Sequence, residues 1–127
     1  MSGDLRGEGY RNPLFVMLSN GGAATAETTK RFPVQAVESG PAAGVEAAMH
    51  YGVKLGMPRL LSFDMGGTTT DIGQCTEGKV ADIRRGHVEG ISVSFPLCEI
   101  MSAGAGGSSV FKVTDGAIVI GPDSVGA

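Results

Sequence analysis

The eight residues Asp64-Met65-Gly66-Gly67-Thr68-Thr69-Thr70-Asp71 constrain this chain more than any other stretch. An apolar run, Leu60 to Phe63, leads into them, and a strand pattern resumes around Ile72. Adjacent glycines between short apolar runs predict a hairpin, because glycine lets the backbone turn tightly and approach a ligand closely. Successive N–H groups in such a turn form a nest that suits a phosphate. Thr68, Thr69 and Thr70 add hydroxyl donors. Asp64 and Asp71 flank the turn on the paired strands, where two carboxylates repel a phosphate unless a cation lies between. Mg²⁺ touches one or two carboxylates and keeps most of its waters, which resolves that conflict. The loop is not a Walker A loop, since no GxxxxGK[ST] occurs. A plain glycine hairpin with solvated threonines is the alternative reading.

The segment before the hairpin reads as a slim helix. Ser39-Gly40-Pro41 opens it, with Pro41 at the first helical position, where its missing N–H is no loss. Val45, Ala48, Met49 and Gly52 keep helical spacing, and alanine and glycine elsewhere let it pack very close to a neighbour. Gly52 or Gly56 stops it, and Pro58 follows.

Around this pair the pattern is mostly short strands. Leu14 to Leu18 reads as a buried, parallel strand, as does Leu60 to Phe63 as a buried one. Thr25 to Arg31 reads as a short helix ended by Pro33, Val34 to Val37 as a strand, and Met1 to Asn12 as an irregular start. Leu60 to Ile83 reads as a three-strand meander turning at Glu77-Gly78, and Val88 to Phe95 as one further strand. Val110 to Val113 and Ala117 to Ile120 flank Asp115-Gly116, a hairpin signal. Met101 to Ser109 is a second small-residue stretch, and within it Gly104 to Ser109 is a second candidate nest for phosphate or substrate, with Gly106 and Gly107 as its donors. The expectation is one domain with no internal boundary.

Composition narrows the classes. There are 21 glycines in 127 residues, without a collagen period, against a usual share of about 7%. Net charge is −3 and no basic cluster exceeds two residues, which argues against a nucleic-acid or membrane-surface partner. No apolar run reaches the roughly 20 residues of a membrane helix, and the N-terminus lacks a secretory pattern. Two cysteines, Cys75 and Cys98, form no disulfide framework, so a reducing cytoplasm is expected. With His87 they match no zinc spacing, and the two cysteines read as buried thiols. His50 reads as a cation near a helix C-terminus, Ser19 to Gly22 as a turn or a ligand loop, and Glu38 as a surface carboxylate or a contact to a nucleophilic water.

SGPAAGVEAAMHYG followed by LLSFDMGGTTTDIG resembles the second phosphate loop of the actin-like ATPase superfamily. The chain is more closely similar to the hydantoinase A/5-oxoprolinase family, through PLFVMLSNGG, RFPVQAVESGPAAGV, SFDMGGTTTDI, AGAGGSS and GPDSVGA in the family's order. That resemblance implies an α/β chain, part of an actin-like ATPase (ribonuclease H-like) fold with a mixed sheet and few helices. It implies ATP and Mg²⁺ as cofactors. Gly66, Gly67, Thr68, Thr69, Gly106 and Gly107 would face the nucleotide, and Asp64 and Asp71 would be the catalytic, metal-side carboxylates. It implies a cyclic amide or ketone substrate and a hydantoinase B-type partner subunit.

The sequence departs from the family in two ways. The superfamily's other D-x-G-G-T hairpin has no counterpart upstream of Asp64, so the expectation is a chain without the first lobe, an internal piece of a larger subunit. Ser108 also stands where the family usually carries a third glycine. Three functions follow as expectations: an ATP-dependent hydrolase of cyclic amides, a nucleotide-binding subunit of an ATP-dependent ketone carboxylase, or a non-catalytic remnant recognisable by a flat exposed apolar surface.

Overall fold

The computed structural model describes residues 2–88 and 90–126, and the side chains of these except Ser2. In chain order the elements are α1 (Ser2–Gly7), β1 (Phe15–Met17), β2 (Ala23–Thr25), α2 (Ala26–Arg31), a 3-10 turn (Pro33–Ala36) and α3 (Ser39–Lys54). They continue with β3 (Arg59–Met65), β4 (Thr70–Thr76), β5 (Lys79–Val80), β6 (Asp82–Ile83), β7 (Gly86–Val88) and β8 (Ile91–Val93). The last are β9 (Leu97–Cys98), β10 (Ile100–Ala103), β11 (Ser109–Thr114) and β12 (Ala117–Ser124). The chain is therefore α/β with few helices and a mixture of short strands. Two compact units form, Met1–Ala43 with Asp82–Cys98, and Gly44–Ala81 with Glu99–Ala127.

The first unit carries small two-stranded sheets. β1 pairs antiparallel with β2, Phe15 opposite Thr25. This corrects the expectation of a parallel strand: the loop between them, residues 18–22, is far too short for a parallel crossover. Nor is β1 fully buried, since Phe15 is 60% exposed. Thr25 caps α2 by accepting from the Thr28 N–H at 3.2 Å, so the helix begins where the sequence places it. Val34 to Val37 is not a strand: Pro33 starts a 3-10 turn there, its fixed φ suiting a helical first position. The polar start holds a short helix, α1, rather than an irregular segment. Val88 to Phe95 is not a single strand either: β7 and β8 form a hairpin with Val88 opposite Ile91. β6 pairs with β9.

The second unit is built on β3 and β4. Seven consecutive residue pairs join them, from Arg59 opposite Thr76 to Met65 opposite Thr70. β10 adds to the other edge of β4, and β5 returns along β4 through the Glu77-Gly78 turn. The meander is thus shorter than expected, since β6 leaves for β9. Opposed residues of an antiparallel pair share a face, so Leu60, Ser62, Asp64, Asp71, Gly73 and Cys75 lie on one side. The part of α3 from Gly44 onward covers that side. Its close approach depends on Gly73, where a Cβ would come within 2.4 Å of a Val45 methyl. The Cys75 thiol points at the Val45 carbonyl, 3.7 Å away. Among the described residues, Val45 and Cys75 are the buried apolar ones of this unit. The helix ends with the Gly56 N–H on the Val53 carbonyl and the Met57 N–H on that of Gly52, a glycine stop of the expected kind.

The other side of the sheet is bare. Leu61, Phe63 and Met65 of β3 and Met101 of β10 are 53–70% exposed, which corrects the expectation that Leu60 to Phe63 is a buried strand. β11 and β12 form the expected hairpin, with Asp115 and Gly116 both at positive φ.

Candidate functional site

β3 and β4 bring Asp64 and Asp71 directly opposite each other on the helix-covered face. Like charges at such a pair repel, typically by a few tenths to about 1 kcal/mol. Asp64 is exposed and its carboxylate has no hydrogen-bond or ion-pair partner among the described residues; Gly44 of α3 lies beside it, close enough that a Cβ there would stand 3.8 Å from Oδ2. One Asp71 oxygen accepts a 2.5 Å hydrogen bond from the Ser102 hydroxyl, which sits opposite Asp71 on β10. No cluster of three or more His, Cys, Asp or Glu suited to a metal occurs among the described residues. The protein therefore offers this pair, which fits a cation that keeps most of its waters.

At the tip the four candidate donors are not equivalent. The Gly66 N–H is spent on the Thr69 carbonyl at 2.9 Å. The N–H groups of Gly67, Thr68 and Thr69 have no protein acceptor among the described residues, and Thr68 and Thr69 are exposed. Thr70 differs: it is 3% exposed, and its hydroxyl donates to the Ala105 carbonyl at 2.5 Å. So three backbone donors and two hydroxyls remain free for a ligand.

The second glycine stretch lies against this tip. The Gly107 N–H donates to the Gly66 carbonyl at 2.9 Å and the Ser108 N–H to the Gly67 carbonyl at 2.7 Å. The Gly106 N–H donates to the Ser109 hydroxyl at 2.7 Å. The donors of the candidate nest are thus already engaged. Ser108 does not take up a positive φ, so serine is unstrained where the family usually has glycine.

The remaining singled-out residues hold structure. Ser19 is 3% exposed; its hydroxyl donates to the Gln35 carbonyl at 2.8 Å and accepts from the Glu38 N–H at 3.3 Å. The Asn20 side chain accepts from the Gly22 N–H at 2.9 Å, closing a turn. Cys75 and Cys98 are buried, one in each unit, and neither is in a disulfide. Burial, with the Glu46 carboxylate second, pushes the Cys75 thiol above its ordinary range. His87 is exposed, its Nε2 2.9 Å from the Ser92 hydroxyl. Ser102 escaped sequence reasoning: no motif marks it, and only the β4–β10 register sets it opposite Asp71. Ala105 lies in the AGAGGSS stretch, but nothing local marks its carbonyl as the acceptor for the Thr70 hydroxyl.

A small helix packed on strands that end in an open glycine hairpin, with paired carboxylates beneath, is the architecture of actin-like ATPase folds. The chain belongs to the hydantoinase/oxoprolinase family, whose family model matches residues 1–127. It is 38% identical to 5-oxoprolinase 1 of Arabidopsis thaliana over 94% of its length and 9% of that protein's. It is 30% identical to the caprolactamase subunit alpha of Pseudomonas jessenii over 94% of its length and 17% of that protein's. The nucleotide-free structure of acetone carboxylase, solved for the mechanism of ATP-dependent acetone carboxylation, matches 98% of this chain. The TM-score is 0.81 with 29% identity, over 18% of the carboxylase chain. The chain therefore spans less than a fifth of the length of these relatives. No helix among the described residues is long and apolar enough to cross a membrane.

Proposed function

We propose that this chain carries the phosphate- and Mg²⁺-binding hairpin of an ATP-dependent enzyme that opens cyclic amides. The observation that carries the reading is the N–H set of Gly67, Thr68 and Thr69, unpartnered among the described residues and set above an opposed Asp64–Asp71 pair that no described cation neutralises. Phosphoryl transfer is mostly positioning and charge neutralisation, so it needs no nucleophile triad. The three amides and the Thr68 and Thr69 hydroxyls would hold phosphate oxygens. Asp64 and Asp71 would hold the cation, which when bound offsets the phosphate charge that the carboxylates otherwise repel. Similarity to 5-oxoprolinase 1 favours a cyclic amide substrate. Similarity to the acetone carboxylase structure favours the alternative, a ketone carboxylase subunit. The caprolactamase relative is named as a subunit, which supports assembly with a partner subunit; a hydantoinase B-type chain is the partner proposed.

A different reading, in which the 127-residue chain has no catalysis of its own, is favoured by the bare apolar face of Leu61, Phe63, Met65 and Met101. Calorimetric titration of the chain with ATP, with and without Mg²⁺, separates the two. Binding that requires Mg²⁺ and disappears in an Asp64→Ala, Asp71→Ala variant is expected. A folded chain that binds nothing leaves the structural reading, and binding that survives the double substitution moves the phosphate site elsewhere.

A further inference from the structure

We propose that the segment from Ser102 to Ser109 is a positioning clamp for the phosphate hairpin, its glycines holding the hairpin in shape instead of meeting the nucleotide. This rests on the reading of Gly67 to Thr69 as phosphate donors.

The segment grips the hairpin at four points. The Ser102 hydroxyl holds one oxygen of Asp71 at 2.5 Å. The Ala105 carbonyl takes the Thr70 hydroxyl, also at 2.5 Å. The Gly107 and Ser108 amides take the carbonyls of Gly66 and Gly67 at 2.9 and 2.7 Å. In a trans peptide the C=O and N–H point in opposite directions within one plane, so carbonyls of Gly66 and Gly67 aimed at the segment leave the N–H groups of Gly67 and Thr68 pointing away from it. That polarity is what an anion site needs: carbonyl oxygens facing a phosphate would repel it.

Gly106 makes the grip possible. A Cβ there would stand 2.7 Å from the Gly66 oxygen and from both the carbon and the oxygen of the Gly67 carbonyl, all backbone atoms that cannot swing aside. Gly107 is different, since a Cβ there would meet only the Gly66 oxygen at an ordinary 3.8 Å. Neither residue has positive φ, so alanine at either position tests contact and not backbone strain. The two adjacent glycines, equivalent in the sequence, should respond oppositely.

The test uses the isotopically labelled 127-residue chain. The first readout needs no nucleotide. The Gly107 and Ser108 amides should exchange with solvent at least tenfold more slowly than those of Gly67 to Thr69. Gly106→Ala should abolish that difference and shift the Gly66 to Thr69 resonances, and Gly107→Ala should do neither. The second readout is Mg·ATP affinity. Each hydrogen bond to a charged phosphate oxygen contributes roughly one to two powers of ten in affinity, so Gly106→Ala, which displaces the hairpin amides, should weaken binding at least tenfold. Ser102→Ala should weaken the Mg²⁺-dependent part several-fold, with recovery in Ser102→Thr. If Gly106→Ala does not fold, Thr70→Val replaces it, since it removes one grip without adding bulk.

Unchanged exchange and resonances in Gly106→Ala overturn the clamp. Disturbed resonances with unchanged Mg·ATP affinity overturn its positioning role. If the unsubstituted chain binds no Mg·ATP while exchange responds as expected, the nucleotide reading fails and the clamp stands.

Discussion

Gly73→Ala tests how closely helix and sheet must meet beneath the hairpin. A methyl at residue 73 would lie 2.4 and 2.7 Å from the two Val45 γ-methyls and 3.1 Å from the Val45 Cβ. Non-bonded carbons rest at about 3.5–4.0 Å, so α3 and β4 must part by about 1 Å or Val45 must leave its rotamer. Val45 is β-branched, stiff at χ1 and only 2% exposed, so it has nowhere to turn. Overpacking of this kind costs about 1–3 kcal/mol. Val45→Ala alone removes two buried methyl groups, at about 1.5–2.5 kcal/mol. In the double variant the new methyl occupies space the valine vacates, so the two losses partly cancel. A favourable coupling of at least about 1 kcal/mol is expected, read from urea midpoints with unchanged m-values. Additivity within about 0.5 kcal/mol would refute the close-approach argument. Gly52→Ala is the control: its methyl would meet the Leu60 Cδ2 at 2.1 Å. That is the end of a flexible, half-buried side chain, and alanine gains about 1 kcal/mol over glycine in a helix, so the net change should stay within about 1 kcal/mol.

Two further outcomes follow from charge. Asp64→Asn removes the like-charge pair with Asp71, so without divalent cation the variant should be more stable than the parent by up to about 1 kcal/mol. Added Mg²⁺ should raise the melting temperature of the parent and not of the variant; a parent that ignores Mg²⁺ would count against the carboxylates as a cation site. For Cys75 the native thiol holds its proton above the ordinary value of 9.0, while the unfolded chain releases it there. The associated stability is complete below that pH and is lost as pH rises through the native value. The melting temperature should therefore fall with increasing alkalinity, with a shallower fall in Cys75→Ala, and alkylation of the folded chain at pH 8 should lag far behind that of the unfolded chain (thiolate being the reactive form).

Features set by neighbouring residues are legible in this sequence. Turn chemistry is a property of neighbouring residues, so Glu77-Gly78 and Asp115-Gly116 are the hairpin turns their composition implies. Thr25 caps α2 and Gly56 stops α3 for the same reason. A helix poor in side-chain volume announces close packing, which Gly73 and Val45 bear out. Strand character in Val34 to Val37 failed because Pro33 favours a helical turn more strongly than two valines favour extension.

Pairing and exposure depend on parts of the chain distant in sequence, and only the tertiary structure decided them. An apolar run such as Leu60 to Phe63 reads as buried on both faces, yet only one face is covered, because coverage is set by what packs there and not by the run itself. The same holds for the two glycine stretches. Composition alone makes both of them phosphate nests. A backbone N–H can serve only one strong acceptor at a time, and which acceptor it meets is a matter of three-dimensional neighbours. Packing gives the Gly107 and Ser108 amides to the hairpin carbonyls and leaves those of Gly67, Thr68 and Thr69 free.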